Sequence, residues 1–120
     1  MRLVLLDMVK QTAVTVAALP LADTTSTFGM VALDDGTFIL VKQPAGIPIW
    51  MARRFTINQQ HAMSCLGFVL GVGTVVGSPI HTTNGVFLPI ANNGAQDFAM
   101  VAPGTVNNGL ADDSLGCPAQ

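Results

Sequence analysis

Four side chains of the sequence could ligate a metal ion: His61, Cys65, His81 and Cys117. Cysteine sulfur and histidine nitrogen are the usual ligands of structural zinc, which binds four of them in a tetrahedron. His61 and Cys65 stand four residues apart, a spacing that would put both on one helix face. His81 and Cys117 supply no second short ligand pair. We therefore predict no metal site, and Cys65 is either a small buried residue or half of a Cys65–Cys117 disulfide.

The run GVGTVVG at residues 71–77 is close to a dinucleotide-binding fingerprint, but its third glycine comes one residue late. A true fingerprint also precedes a helix whose N-terminus meets the pyrophosphate. The following residues, SPIHTTNG, are turn formers and cannot make that helix. We interpret the run as a strand, straight or bulged, whose glycines allow close packing, and we predict no cofactor.

The serine and aspartate residues give no clear pattern of a catalytic site either. Ser64, Ser78 and Ser114 lie outside the G-x-S-x-G nucleophile elbow. The pairs Asp34-Asp35 and Asp112-Asp113 are typical of solvated turns, because aspartate bonds its own backbone there. The sequence therefore predicts that the protein is not an enzyme, although a small enzyme with a site formed between subunits stays a third hypothesis.

Residues 47–58 contain the chain's one tryptophan, Trp50, and the adjacent pair Arg53 and Arg54. Read as a strand, this segment alternates between two faces. The odd, mostly apolar positions are assigned to the core, which leaves Trp50 and Arg54 together on the outward face. Tryptophan and arginine are enriched in protein interaction hot spots, and base stacking is the competing use. Because five basic residues are few for neutralising phosphates, the pattern favours a protein partner over nucleic acid.

Arg53 falls on the face that is assigned to the core, and two explanations stay open. A β-bulge near Ala52–Arg53 could shift the register, so that Arg53 turns outward. Alternatively, Arg53 is buried against an aspartate, since a buried charge needs a partner.

Turn dipeptides divide the chain into short apolar runs. The dipeptides are Asp35-Gly36, Asn84-Gly85, Asn93-Gly94 and Asn108-Gly109, which suit tight hairpins. The runs are of strand length, at 2–6, 12–18, 28–33, 37–42, 47–58, 66–70, 72–76, 86–90 and 97–101. A helix could form over 59–69, which contains no turn dipeptide of this kind. We therefore predict an all-β fold, an antiparallel sandwich or small barrel.

The segment FGMVALDDGTFILVK predicts a hairpin that is buried on both faces. If Asp35-Gly36 is the two-residue turn, Leu33 pairs with Phe38, and both faces of the hairpin are apolar. In a sheet with one solvent-exposed face, apolar and polar residues would alternate along each strand. The second cover is either another subunit or the chain's own loops. The predicted interface residues are Phe28, Met30, Ile39 and Val41, together with Trp50 and Arg54.

Composition predicts an assembled protein. Half of the residues are hydrophobic, 10% are charged, and the chain has neither Glu nor Tyr, at a net charge of −2. So few charges leave apolar patches on a monomer, and large patches normally mark interaction surfaces. We therefore expect a homo-oligomer, a trimer or larger.

The two ends of the chain differ in character. The first 22 residues superficially read as a signal peptide, but Asp7 and Lys10 interrupt the apolar region, and we expect neither secretion nor a membrane partner. Residues 102–120 are rich in Gly, Asn, Asp and Pro. We interpret residues 1–101 as the β domain and residues 102–120 as an extended arm or loop of the same domain.

Low charge, the absence of Glu, and hairpins such as ALDDGTFI and HTTNGVFL give the chain a character that resembles small bacteriophage virion proteins. This resemblance implies a capsid decoration (cement) or coat component, located in the virion and bound to a capsid-like protein array. Small RNA-phage coat proteins end in interlocking helices, whereas residues 102–120 lack a helical pattern, which favours the decoration type. The alternative function is an all-β binding module for carbohydrate or nucleic acid.

Overall fold

The computed structural model describes residues 2–18, 27–44, 46–60 and 63–109. These residues form antiparallel strands and a short 3₁₀ helix, Pro103–Val106, so the all-β prediction is confirmed. The strands are β1 (Arg2–Asp7), β2 (Thr12–Ala18), β3 (Thr27–Ala32), β4 (Phe38–Gln43), β5 (Ile49–Ile57), β6 (Met63–Val72), β7 (Thr74–Val75), β8 (Ile80–Thr82), β9 (Gly85–Asn92) and β10 (Ala95–Val101). Within these ranges, no helix has the length and apolarity needed to cross a membrane.

Two four-stranded sheets pack face to face as a sandwich, and β1 and β2 form a separate hairpin. The first sheet has the order β3-β4-β5-β6, and the second has the order β10-β9-β7, with β8 also paired to β9. One continuous cluster of buried side chains lies between the sheets. Its members are Val31, Leu33, Ile39, Val41, Trp50, Ala52, Val75, Val86, Leu88, Ile90, Val101 and Val106.

The expected helix over 59–69 is wrong, because β6 occupies Met63–Val72. Each residue of β5 pairs with this strand, from Ile49 opposite Val72 to Ile57 opposite Met63. Pairing along a whole neighbouring strand outweighs the local preference of a short segment, since strand formation depends mainly on packing and burial.

The β3–β4 turn is one residue longer than predicted. Leu33 N–H donates to the Thr37 carbonyl at 2.8 Å, Gly36 N–H donates to the Leu33 carbonyl at 3.2 Å, and Gly36 has a φ of +83°. This is a three-residue loop with a left-handed glycine, a common hairpin connection. Ala32 therefore pairs with Phe38, and the expected pairing of Leu33 with Phe38 is wrong. The shift sends Leu33 into the core beside Ile39.

A β-bulge interrupts the pairing of β5 with β6. Arg54 pairs with Gly67 and Phe55 pairs with Cys65, so Leu66 is the extra residue. The alternative of a bulge near Ala52–Arg53 that turns Arg53 outward is therefore wrong: the bulge lies beside Arg54 and Phe55, and its extra residue is in β6. β5 keeps its alternation, and its two faces stay distinct over the whole strand.

Buried Gln43 joins the first sheet to β7. Its side-chain amide donates to the Ile47 and Gly73 carbonyls, at 2.9 Å each, and its carbonyl oxygen accepts the Val75 N–H at 2.5 Å. Because buried polar groups are costly when unpaired, these bonds fix the β6–β7 junction against the end of β4.

Residues 102–120 are predicted as an extended arm or loop of the same domain; residues 102–109 lie against the sandwich as a loop with a short 3₁₀ helix, and residues 110–120 lie outside the described part of the chain. Val106 of the 3₁₀ helix is fully buried in the core between the sheets. The Asn108 side-chain amide donates to the Phe68 carbonyl at 2.7 Å, and Gly109 N–H donates to the Leu66 carbonyl at 2.7 Å. This segment therefore covers part of the free edge of β6.

The glycine run at 71–77 serves close packing, as predicted. Trp50 lies directly over Gly71, its partner across the β5–β6 ladder, and a methyl group there would overlap the indole ring. Gly73 has a φ of +129° and approaches Ile90, and Gly77 faces the Pro89 ring. The indole thus reaches the core because its neighbour has no side chain.

We predict that Gly71→Ala destabilises the fold, because Trp50 must move out of the core to admit the methyl group. Overpacking of this kind costs about 1–3 kcal/mol. Gly104→Ala is the matched control, since a methyl group there meets no atom within 4 Å. Urea unfolding of both variants measures the difference, and equal midpoints would contradict the role assigned to Gly71.

Candidate functional site

Trp50 and Arg54 share one face of β5, as predicted, but that face points into the sandwich. Trp50 is 6% exposed and Arg54 is 9% exposed. The expectation that they form an outward-facing hot spot is therefore wrong. The alternation was interpreted correctly, but the larger core lies on the even side of β5, where Trp50 and Ala52 meet the second sheet.

Arg54 holds the β3–β4 turn in place. Its guanidinium pairs with the Asp35 carboxylate, Nε donates to the Thr37 hydroxyl at 3.1 Å, and Nη1 donates to the Pro103 carbonyl at 3.3 Å. Arginine suits this position because its planar group donates in several fixed directions at once. Arg54 therefore ties together the turn, the strand β5 and the 3₁₀ helix.

Arg53 is buried, as one of the two explanations predicted, but the partner described for its guanidinium is an aromatic ring and not the expected aspartate. Arg53 is 1% exposed on the opposite face of β5, and its guanidinium lies 4.8 Å from the centre of the Phe68 ring. Burial lowers its pKa to about 10, so the group stays charged at neutral pH. An aromatic ring face attracts such a partly desolvated cation.

The predicted two-sided burial of the hairpin holds for β4. Ile39 and Val41 are almost fully buried between the sheets, so the expectation that they form an interface is wrong: the chain's own second sheet covers them. On the other face, Leu40 joins a smaller cluster with Phe55 and Cys65. Met30 is 49% exposed on that face. Phe28 lies in β3, and its side chain is outside the described part of the chain.

Cys65 is disulfide-bonded, which leaves no thiolate for zinc. It lies in a strand, so the helical spacing that would have joined it to His61 does not apply. His61 and Cys117 are outside the described residues. Within the described ranges, no group of three metal-ligating side chains is present.

A polar cleft of about 220 Å³ lies between the β3–β4 turn and the β8–β9 loop. Asp34 is the solvated turn residue that was predicted, with its side chain 96% exposed, and its carboxylate lies 3.8 Å from His81 Nε2. Asp35 is held by Thr37 and Arg54. Asp35 thus serves the β3–β4 turn itself, and Asp34 faces His81 across the cleft.

Sequence reasoning missed the outward side of the second sheet, where five side chains form a row. Phe87 pairs with Met100 on one side and Ile80 on the other, and Phe98 pairs with Pro89. Phe98 is 62% exposed and its ring centre lies 4.5 Å from that of Phe87. Ile80 and Met100 are each more than half exposed. We call these residues the outer apolar face: Ile80, Phe87, Pro89, Phe98 and Met100.

The sequence contained a signal for this face. β9 reads GVFLPIAN and is apolar at successive positions, so both of its sides are apolar. Val86, Leu88 and Ile90 fill the core, and Phe87 and Pro89 face away from it. The two-sided argument that was applied to residues 28–41 would have selected this strand as well.

Comparison of the chain with protein-family models, with curated proteins and with solved structures found no match.

We predict that Arg54→Lys destabilises the fold by about 1–3 kcal/mol, because one ammonium group cannot replace all three contacts of the buried guanidinium to its partly buried acceptors. Thermal or urea unfolding gives the value. Arg54→Lys combined with Asp35→Asn should be less damaging than the sum of the single changes, because the two residues act on the same turn. Full additivity would contradict the coupling.

We predict an acid-dependent contribution from Asp35. Hydrogen bonds from the Thr37 hydroxyl and N–H, and then the Arg54 guanidinium, hold the pKa of Asp35 below its ordinary value of 3.8. A lowered pKa in the folded state stabilises the fold above pH 3.8, and this contribution is lost as the pH falls through the folded-state value. The stability difference between wild type and Asp35→Asn should therefore shrink in acid. A pH-independent difference in urea midpoints would contradict this assignment.

Proposed function

We propose that this chain is a structural protein that works by self-association, with the outer apolar face as its contact surface. The observation that carries the proposal is the row of exposed apolar side chains on the second sheet, headed by Phe98 and Met100. Contiguous apolar surface of this kind is typical of protein–protein contacts. Burying a phenylalanine or methionine side chain stabilises a complex by roughly 1.5–3 kcal/mol before the cost of association.

The shape of this surface favours a macromolecular partner. Small-molecule sites are concave and enclose most of their ligand, whereas the outer face of a sheet is open. The sequence from residue 55 to residue 120 contains no lysine or arginine. A face without cations cannot neutralise phosphates, so nucleic acid is not favoured.

A finer proposal is that the assembly is a virion, with the chain as a capsid decoration or coat component in a trimer or larger oligomer. Its support is the low charge of the sequence, the absence of Glu and the hairpin-rich β architecture. Head or tail genes beside the coding sequence would support this finer proposal, and neighbouring genes of a metabolic pathway would contradict it.

We predict that Met100→Ser weakens self-association about tenfold, because a buried methionine contributes on the order of 1.5 kcal/mol or more. Met30→Ser is the matched control: Met30 is 49% exposed and Met100 is 51% exposed, and they lie on different sheets. Sedimentation velocity over a concentration series measures the association of each variant.

Two outcomes would contradict the proposal. A wild-type chain that stays monomeric up to high concentration would exclude self-association as its function. Weakening by Met30→Ser with no effect of Met100→Ser would move the contact to the face that the sequence predicted.

A further inference from the structure

β10 is an open sheet edge. It is the last strand of the second sheet, and in the described part of the chain no strand lies on its other side. It runs for seven residues, AQDFAMV, without proline or lysine. Edge strands expose unpaired N–H and C=O groups that can bind another strand, and natural sheets usually protect them.

Two other edges of the sandwich carry such protection. Asn108 and Gly109 bond the backbone of β6 at Phe68 and Leu66. β7 and β8 are two and three residues long, and the segment between them contains Pro79. Short strands and proline both discourage edge pairing. The fourth edge, β3, is also unpaired on its outer side in the described part of the chain, but it is one residue shorter than β10 and follows residues 19–26, which lie outside that part. β10 is therefore the longest edge strand that no described residue covers.

Two observations show which groups of β10 face away from β9. Asn92 and Ala95 flank the two-residue turn Asn93-Gly94, in which both φ angles are positive. The residues that flank such a turn form a hydrogen-bonded pair, so the backbone groups of Ala95 point toward β9. Because these directions alternate along a strand, the other odd-numbered residues of β10 also bond β9. Independently, Phe98 N–H donates to its neighbour's carboxylate, Asp97 Oδ1, at 2.8 Å. Gln96, Phe98 and Met100 thus present their backbone groups to the open side.

We propose that β10 pairs antiparallel with β10 of a second copy of this chain, about a twofold axis at Phe98. This inference rests on the proposed function, because it assumes self-association, and it adds a contact through the edge of the sheet beside the outer apolar face. The pairing joins two second sheets into one continuous eight-stranded sheet, because each copy contributes four strands. The outer apolar faces then adjoin across the axis and form one larger surface.

The sequence of β10 is complementary to itself in this register. Phe98 lies opposite Phe98 of the second copy, and Gln96 lies opposite Met100. Asp97 lies opposite Ala99 of the second copy, so the two Asp97 carboxylates of the dimer do not face each other. Like charges directly opposite each other destabilise strand pairs, whereas aromatic pairs stabilise them.

Asp97 makes the open edge selective. In the single chain its carboxylate occupies the Phe98 N–H, the central donor of the edge. A partner strand must therefore offer its own carbonyl to the Phe98 N–H in place of the Asp97 carboxylate. A strand that also forms several further backbone hydrogen bonds with β10 can displace the carboxylate most readily. Charged side chains on edge strands limit indiscriminate pairing in this way.

Gln96→Pro tests the backbone pairing, and Gln96→Ala is its matched control. Both remove the exposed amide side chain, but the proline variant alone removes an N–H that faces the open edge. Proline is tolerated at such edge positions because no bond to β9 is lost. We expect Gln96→Pro to weaken dimerisation at least fivefold more than Gln96→Ala does, because the proline removes one hydrogen bond from each copy, two in the dimer. Sedimentation velocity measures both, and thermal unfolding checks that both variants are folded.

A cross-linking experiment tests the register without proline. In the proposed pair, residues 96 and 100 of different copies have Cα atoms about 5.5 Å apart, within the range that a disulfide spans. An oxidised mixture of the Gln96→Cys and Met100→Cys full-length chains should give a covalent dimer, and each variant alone should give much less.

The outcomes separate this inference from the proposed function. If the wild type associates and Met100→Ser weakens it, but Gln96→Pro matches Gln96→Ala and the cysteine mixture gives no excess dimer, edge pairing is wrong and self-association stands. If the wild type is monomeric at every concentration, both proposals fail. If Gln96→Pro weakens dimerisation more than Gln96→Ala does, and the cysteine mixture forms the disulfide between residues 96 and 100, the twofold pairing at Phe98 is supported.

Discussion

The turn at Asp34, Asp35 and Gly36 sets the register of β3 against β4, and that register decides which side chains enter the core. Because strand side chains alternate, a slip of one residue would exchange the two faces of β3. Arg54 bonds the turn from within the sandwich and also reaches the Pro103 carbonyl. One arginine thus connects the register of the first sheet to the 3₁₀ helix that closes the core with Val106.

A low number of charges imposes a second constraint, because both sides of both sheets are largely apolar. The inner sides cover each other. On the outer side of the first sheet, Phe38 stacks on Phe55, Arg53 lies on Phe68, and Cys65 is fully buried. The outer side of the second sheet keeps Phe98 and Met100 exposed. The outer side of the first sheet also exposes Ile49, Leu70 and Val72, so the two sheets differ mainly in their aromatic rings. Among the described residues, Phe98 is the exposed phenylalanine, and it lies in the contact surface that we propose on the second sheet.

The all-β class and most strands could be predicted from the sequence, because turn dipeptides and alternation are local signals. The type of the β3–β4 turn could not, since two- and three-residue loops both suit the Asp-Gly pair at this position. The orientation of β5 could not be predicted either: its odd face is the more apolar one, yet the position of the second sheet makes the even face, with Trp50, the internal one. The outer apolar face was missed because the argument from two apolar sides was applied to residues 28–41 and not to the predicted strand at 86–90, which is apolar on both sides as well.

Pro89 itself explains how this sheet ends on one side and stays open on the other. Its missing N–H falls where the neighbouring edge is divided into β7 and β8, and Gly77 faces its ring. The division shortens that edge into two segments, neither of which offers a long template for pairing. On the other side, β10 continues unbroken from Ala95 to Val101. Growth of the second sheet by adding a strand is therefore open in one direction, and the proposed pairing of two β10 strands would occupy that direction in both copies, so any larger assembly would have to use another surface, such as the outer apolar face.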